Sequence, residues 1–150
     1  MTNDTQAHTA PYELYKRQLG FFNPDDHGAS HVNIIGLGGI GSFAAFGVAK
    51  LGVPNITVVD DDTVELHNVP NQFHATDQLG LTKTDAMLDT AFAYTGTTLN
   101  AIEGQIGKDS PDDWNPKGVV ISGVDSMKAR MDIWDNGKIK FNPAVSHYID

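Results

Sequence analysis

Cysteine is absent from this 150-residue chain. That removes disulfides, cysteine-ligated zinc and thiol nucleophiles together, so any chemistry must run without a thiol. Basic residues are scarce: 10 Lys and Arg stand against 19 Asp and Glu, a formal net charge of −9. Such a balance repels polyanions at long range, which disfavours nucleic acid and anionic membrane as partners. Long apolar runs are missing too, none approaching the ~20 residues of a membrane span. The polar opening "MTNDTQAHTAPYELYKR" lacks the apolar stretch of a secretion signal. A soluble cytoplasmic protein with no membrane partner is the expectation.

With 40% hydrophobic residues, a chain of this length suits one core that buries roughly 70% of its unfolded surface. Residues 1–11 read as a flexible lead. After them Tyr12, Leu14, Tyr15, Leu19, Phe21 and Phe22 supply apolar surface for an arm that docks on something. "HVNIIG" is a β-branched run that breaks into glycine, and "SFAAFGVAKLG" follows as a helix with Gly52 at its C-cap. "NITVVD" is a second buried strand, and "TKTDAMLDTAFAYTG" is a helix from about Lys83 to Tyr94 that stops at Gly96. The long polar stretch between these two elements is a functional-loop candidate. "TTLNAIEGQI" and "GVVISGVD" read as further strands and "SMKARMDIWDN" as a helix capped by Ser126, while "AVSHYID" opens another strand. "DSPDDWNPKG" is a turn-rich acidic loop. The order β-α-β-α-β-β-α predicts an α/β fold, a mostly parallel sheet flanked by helices, over residues 12–150.

Gly36, Gly38 and Gly41 satisfy G-x-G-x-x-G directly after a strand and at the opening of a helix. There backbone approaches a phosphate closely and the helix N-terminus favours its charge. Glycines at such a turn also serve simple close packing, so the strand–helix context carries the weight. Asp60 ends the second strand about twenty residues further on, where a carboxylate accepts from ribose hydroxyls. Lys83, at a helix start, opposes the helix dipole unless something negative lies beside it, and a triphosphate is one such group. Asp125 follows the strand "GVVIS" at the carboxyl edge of the sheet, where its hard oxygen either suits Mg²⁺ or merely caps the following helix. The histidines at 8, 27, 31, 67, 74 and 147 show no metal-ligand spacing. His67 and His74 flank the polar loop, and Trp114 and Trp134 read as packing residues.

Taken together, "DDDTVELHNVPNQ", "GLTK" and "SGVDSMKAR" resemble the MoeB/ThiF family, bacterial relatives of ubiquitin-activating enzymes, from about Tyr15 to Asp150. The resemblance implies a Rossmann-like domain that uses ATP and Mg²⁺ to adenylate the C-terminal carboxylate of a ubiquitin-like or sulfur-carrier protein, or of a peptide. It places Gly36, Gly38, Gly39 and Gly41 around the phosphates, Asp60 on the ribose, and Asn68 and Lys83 on the phosphate side. Asp62, Asn71 and Gln72 join the nucleotide-binding set, and Asp125 holds the metal. Arg17, in "YKRQLG", is implied to enter a partner subunit's site, making a two-fold homodimer in which Arg17, Lys83 and Asp125 act in catalysis.

Two departures accompany the resemblance. Asn71 stands where the family commonly has arginine, so a cation expected on the phosphates is missing, with Arg130 a conceivable substitute. The family also continues well beyond this length, so the domain reads as truncated at its C-terminus or as a natural short form. Two other readings stay open: a nicotinamide-dependent oxidoreductase domain, which the glycines and Asp60 allow, and a non-catalytic nucleotide-binding assembly module.

Overall fold

A computed structural model describes residues 12–150; the lead expected over 1–11 lies outside the described residues. In chain order the elements are α1 (Tyr12–Tyr15), β1 (His31–Ile35), α2 (Gly41–Leu51), β2 (Asn55–Asp60), α3 (Lys83–Thr95), β3 (Asn100–Glu103), β4 (Gly118–Ser122), α4 (Met127–Asn136) and β5 (Val145–Ile149). Five strands form one sheet in the order β3-β2-β1-β4-β5. Every neighbouring pair is parallel. All carboxyl ends therefore share one edge, and the chain reverses direction across the sheet between β1 and β4, the switch point at which open α/β sheets take ligands. This is a Rossmann-like α/β fold, as the sequence predicts, with the parallel character complete and β5 formed from the "AVSHYID" stretch. No helix among the described residues is long and apolar enough to cross a membrane.

The strands alternate, and the alternation splits two cores. Ile34 and Val58 face α2 and α3 with Ala45, Ala49, Ile56, Met87, Ala91 and Leu99. Their neighbours Ile35 and Val59 face the other side with Ile106, Trp114, Val120, Ile133 and Ile139. Successive strand residues point to opposite faces, so a parallel sheet buried on both sides needs near-continuous apolar runs such as "NII" and "VV". Burying each such side chain contributes about 1.5–3 kcal/mol.

The connection from β3 to β4 carries no helix, unlike the usual crossover. The acidic stretch around residues 109–118 takes that place: Trp114, 1% exposed, covers the sheet and donates its Nε1–H to the Gly137 carbonyl at 2.8 Å. Trp134 instead stays 42% exposed with its ring 5.3 Å from that of Tyr148.

The N-terminal arm docks on its own chain. Tyr15 is buried against Gly52, where an added Cβ would lie 2.7 Å from the Tyr15 ring, and Gln18 donates to the Leu51 carbonyl at 2.7 Å. Phe22 packs on the α2/α3 core, while Leu14 and Phe21 remain exposed.

Three glycines bring β1, α2 and β4 together. Gly36 adopts φ 86°, a conformation that favours glycine. The Cα of Gly41 faces the Gly36 carbonyl so closely that a Cβ would overlap it. Gly123, just past β4, packs on both, a Cβ there lying 2.9 Å from the Gly41 nitrogen. Gly47, in the exposed middle of α2, has no such neighbour within 4 Å. Opposite outcomes are therefore expected from one substitution at two positions of the same helix. Gly41→Ala should destabilise by at least ~1–3 kcal/mol through overpacking, whereas Gly47→Ala should stabilise by about 0.5–1 kcal/mol through helix propensity. Urea midpoints of the two variants measure both signs.

Candidate functional site

The loop between β1 and α2 is held by two of its own carbonyls and two of its amides. Gly36 N–H donates to the Val59 carbonyl at 2.8 Å, tying the turn to β2. Leu37 N–H donates to the Asp60 carboxylate, and the Leu37 carbonyl faces Nε2 of His74 at 3.1 Å. The Gly38 carbonyl accepts from Ser42 N–H at 3.1 Å and from its hydroxyl at 2.6 Å. The next four amides, of Gly38, Gly39, Ile40 and Gly41, find no acceptor among the described residues. They sit together at the N-terminus of α2, which has no acidic residue in its first turn and no side-chain cap. Unpaired amides and the positive end of the helix dipole make this an anion-binding surface. Gly38 leaves it open, since a Cβ there would meet nothing within 4 Å.

Asp60 borders this surface. It is buried, accepts from Leu37 N–H through one oxygen and from Asp62 N–H at 2.9 Å through the other. Lys83, 5% exposed, places Nζ 2.7 Å from Asp62 Oδ2 and 3.9 Å from Asp60 Oδ1. Its helix begins at Thr82, whose hydroxyl accepts from Asp85 N–H, and Lys83 N–H reaches back to the Asp62 carbonyl at 2.9 Å. The negative partner that a buried lysine at a helix start requires is thus supplied, without ligand, by two carboxylates of the site. Asp61 is exposed and accepts from Gln105 at 2.7 Å.

Asp125 lies three residues past β4 at the same carboxyl edge, exposed and ahead of α4. Its carboxylate makes no hydrogen bond or ion pair among the described residues. The carboxylates whose oxygens gather within 4.8 Å are Asp60, Asp61 and Asp62, with no histidine among them. Arg130 is engaged by groups of its own chain. Its Nε and Nη2 each donate to the Val124 carbonyl at 3.1 Å, and Nε lies 3.3 Å from Asp150, so it ties the β4–α4 turn to the end of β5.

The polar loop after β2 folds over the glycines. Asn68 is buried, and its Oδ1 accepts from Glu65 N–H at 2.9 Å, which makes it a builder of the loop. Asn71 is exposed, and its carbonyl closes over Gly39, 3.3 Å from where a Cβ would sit. Gln72 keeps a buried Oε1 with no hydrogen-bond partner among the described residues. Ser42 joins the layers, since its hydroxyl also accepts from Phe73 N–H at 2.9 Å. Ser42 and the Leu37-binding role of His74 escape sequence reasoning. Ser42 merely follows the last glycine of the fingerprint, and a lone histidine in a polar loop does not announce what its ring faces.

Arg17 is not brought to this site. It lies beside Tyr15 and Gln18, which dock at Leu51 and Gly52, the opposite end of α2 from the glycine loop. An eleven-residue helix spans about 16 Å, beyond an arginine's reach in its own chain. Nor does the site coincide with the recessed surfaces lined by Ser30, His31 and Gly118 or by Asn33, Thr57 and Trp114. The glycine loop is an open shelf at the other edge.

The chain matches the model of the ThiF family over residues 15–144. It is 36% identical over 115 residues to ubiquitin-like modifier-activating enzyme 5 of Oryza sativa subsp. japonica, covering 67% of this chain and 27% of that protein. Among solved structures it is similar to E. coli tRNA N6-threonylcarbamoyladenosine dehydratase in complex with ATP, with a TM-score of 0.74 at 22% identity over 82% of this chain and 54% of that one. It is also similar to E. coli MccB with MccA-N7isoASN, with a TM-score of 0.61 at 21% identity over 72% of this chain and 33% of that one. Both structural likenesses are of fold. The chain spans about a quarter of the curated relative's length.

Burial lowers the pKa of His74 below its ordinary 6.5, with Lys83 adding to the effect, while the bond to the Leu37 carbonyl and the charge of Asp60 oppose it. The unfolded chain therefore binds this proton more readily than the folded one. The stability associated with neutral His74 is complete above about pH 6.5 and is lost as the pH falls through that value toward the lower folded pKa. Between pH 7.5 and 5.5, His74→Gln should lose less stability than the native chain, by up to ~1.4 kcal/mol per pH unit, as read by urea unfolding.

Proposed function

The chain belongs to the ThiF family, and on that premise we propose that it is the nucleotide-holding module of an ATP-dependent adenylyltransferase. In this reading a carboxylate at the C-terminus of a ubiquitin-like or sulfur-carrier protein, or of a peptide, is activated as its acyl-adenylate. The observation that carries it is the run of four unpaired amides at the start of α2, with Lys83 and Asp125 at the same sheet edge. A carboxylate oxygen attacks the α-phosphorus, the bond to the bridging oxygen breaks, and pyrophosphate leaves. The nucleophile is already ionised, so no general base is needed, and the lack of cysteine does not count against the step. Catalysis then rests on positioning and charge.

The residues divide that work. The Gly38–Gly41 amides cradle phosphate oxygens, Asp60 borders the ribose side, and Lys83 turns from Asp62 toward the triphosphate. Asn68, Asn71 and Gln72 form the wall above Gly39. The unpaired, exposed Asp125 carboxylate fits Mg²⁺, which takes one or two carboxylates besides phosphate oxygens and would neutralise triphosphate charge there. Arg17 would enter the site of a second copy in a two-fold dimer, because its own site is out of reach. The net charge of −9 favours a protein or peptide substrate over RNA.

Nucleotide-dependent thermal stabilisation tests the reading against the nicotinamide alternative. ATP·Mg²⁺ at a hundred times its Kd should add about 2.7 kcal/mol, and NAD or NADP should add nothing. Stabilisation by NAD with no response to ATP would sink the proposal. Gly38→Ala should leave the ligand-free midpoint within ~0.5 kcal/mol of native, its Cβ being unobstructed, while weakening ATP. Lys83→Ala should weaken ATP more than AMP, and Asp125→Ala should abolish the magnesium dependence. If Arg17 acts in trans, mixing Arg17→Ala with Lys83→Ala protein should restore pyrophosphate exchange that neither variant shows alone.

A further inference from the structure

We propose that His74 is a positioning residue that aims the Gly38 N–H at the nucleotide's phosphate by holding the Leu37 carbonyl; the proposal rests on the nucleotide reading above. His74 is 6% exposed, and its Nε2 lies 3.1 Å from that carbonyl oxygen. An oxygen without a proton can only accept, so Nε2 carries the hydrogen and donates. The other ring nitrogen, Nδ1, is buried with no partner among the described residues. Burial lowers the ring's pKa, which favours the neutral form with the proton on Nε2. The ring's one hydrogen bond is thus spent on the glycine loop.

The carbonyl of Leu37 and the amide of Gly38 belong to the same peptide unit. In a planar trans peptide they point in opposite directions, so a donor that fixes the first fixes the second. The side chain of Leu37 is 0% exposed in the α2/α3 core, and its N–H is held by Asp60. Everything up to the Leu37 Cα is therefore anchored. Beyond it comes Gly38, which has no Cβ and nothing within 4 Å where one would be. Ser42 holds the Gly38 carbonyl, which fixes the peptide after Gly38 but leaves the one before it free to rotate. His74 supplies the constraint from the adjoining loop.

The test compares three variants of the full chain. His74→Phe keeps a ring in the buried site and removes the donor, His74→Leu is the second donor-free form should the first not fold, and His74→Gln presents an amide N–H at a similar reach. Titration calorimetry with ATP·Mg²⁺ and with adenosine separates phosphate from nucleoside binding. Loss of a donor to a charged group predicts that ATP affinity falls about tenfold to a hundredfold in a donor-free variant. Adenosine affinity should stay within about twofold, and His74→Gln should recover most of the ATP loss. The ¹⁵N-observed Gly38 amide should shift on ATP addition in the native chain and in His74→Gln, but not in the donor-free form. Equal losses for ATP and adenosine, or a His74→Gln variant no better than His74→Leu, overturn this proposal alone. A native chain that binds neither ligand overturns it together with the nucleotide reading.

Discussion

The carboxylate of Asp60 is the point on which the site depends. At the end of β2 it accepts from the backbone of Leu37 on the neighbouring β1–α2 loop and from Asp62 in its own continuation, with Lys83 of α3 3.9 Å away. Three segments distant in sequence are therefore referred to one buried group. A buried carboxylate is costly unless its lone pairs are satisfied, and here the satisfaction comes from amides whose placement the site needs. The glycine loop is consequently held in shape by the chain's own groups.

Much of this was legible in the residues, for definite reasons. The strand runs around Ile34, Val58 and Val120 are apolar because the sheet is covered on both faces, and the two turn residues Gly52 and Gly96 mark where α2 and α3 stop. The G-x-G-x-x-G spacing is a statement about backbone distance, and the contact of Gly41 with the Gly36 carbonyl is that distance realised. Other parts were not legible, because they depend on what meets what after folding. Asp60 reads as a ribose acceptor, yet the bond it accepts from Leu37 N–H is a matter of tertiary register. Arg130 reads as a spare cation, but the Val124 carbonyl and Asp150 engage it. The stretch around Trp114 reads as a turn-rich acidic loop with a packing tryptophan, and nothing short of the assembled sheet reveals that it replaces a crossover helix.

The arm shows the same division. Its apolar content correctly signals docking, and the structure supplies the partner, since Tyr15 and Gln18 close on the C-terminal end of α2. That placement carries Arg17 to the far edge of the sheet from the glycine loop. The length of α2 is what separates the two ends.

The Lys83–Asp62 pair, at 2.7 Å, changes what affinity at this site would report. A lysine already paired with a carboxylate would gain from a triphosphate only the difference between the two attachments, since Asp62, with 67% of its side chain exposed, is hydrated in either state. Binding becomes an exchange of counter-ions. On the nucleotide reading proposed above, a weakly charged ligand would gain little from that exchange, so the resident acid would separate ligands by charge density before their shape is consulted.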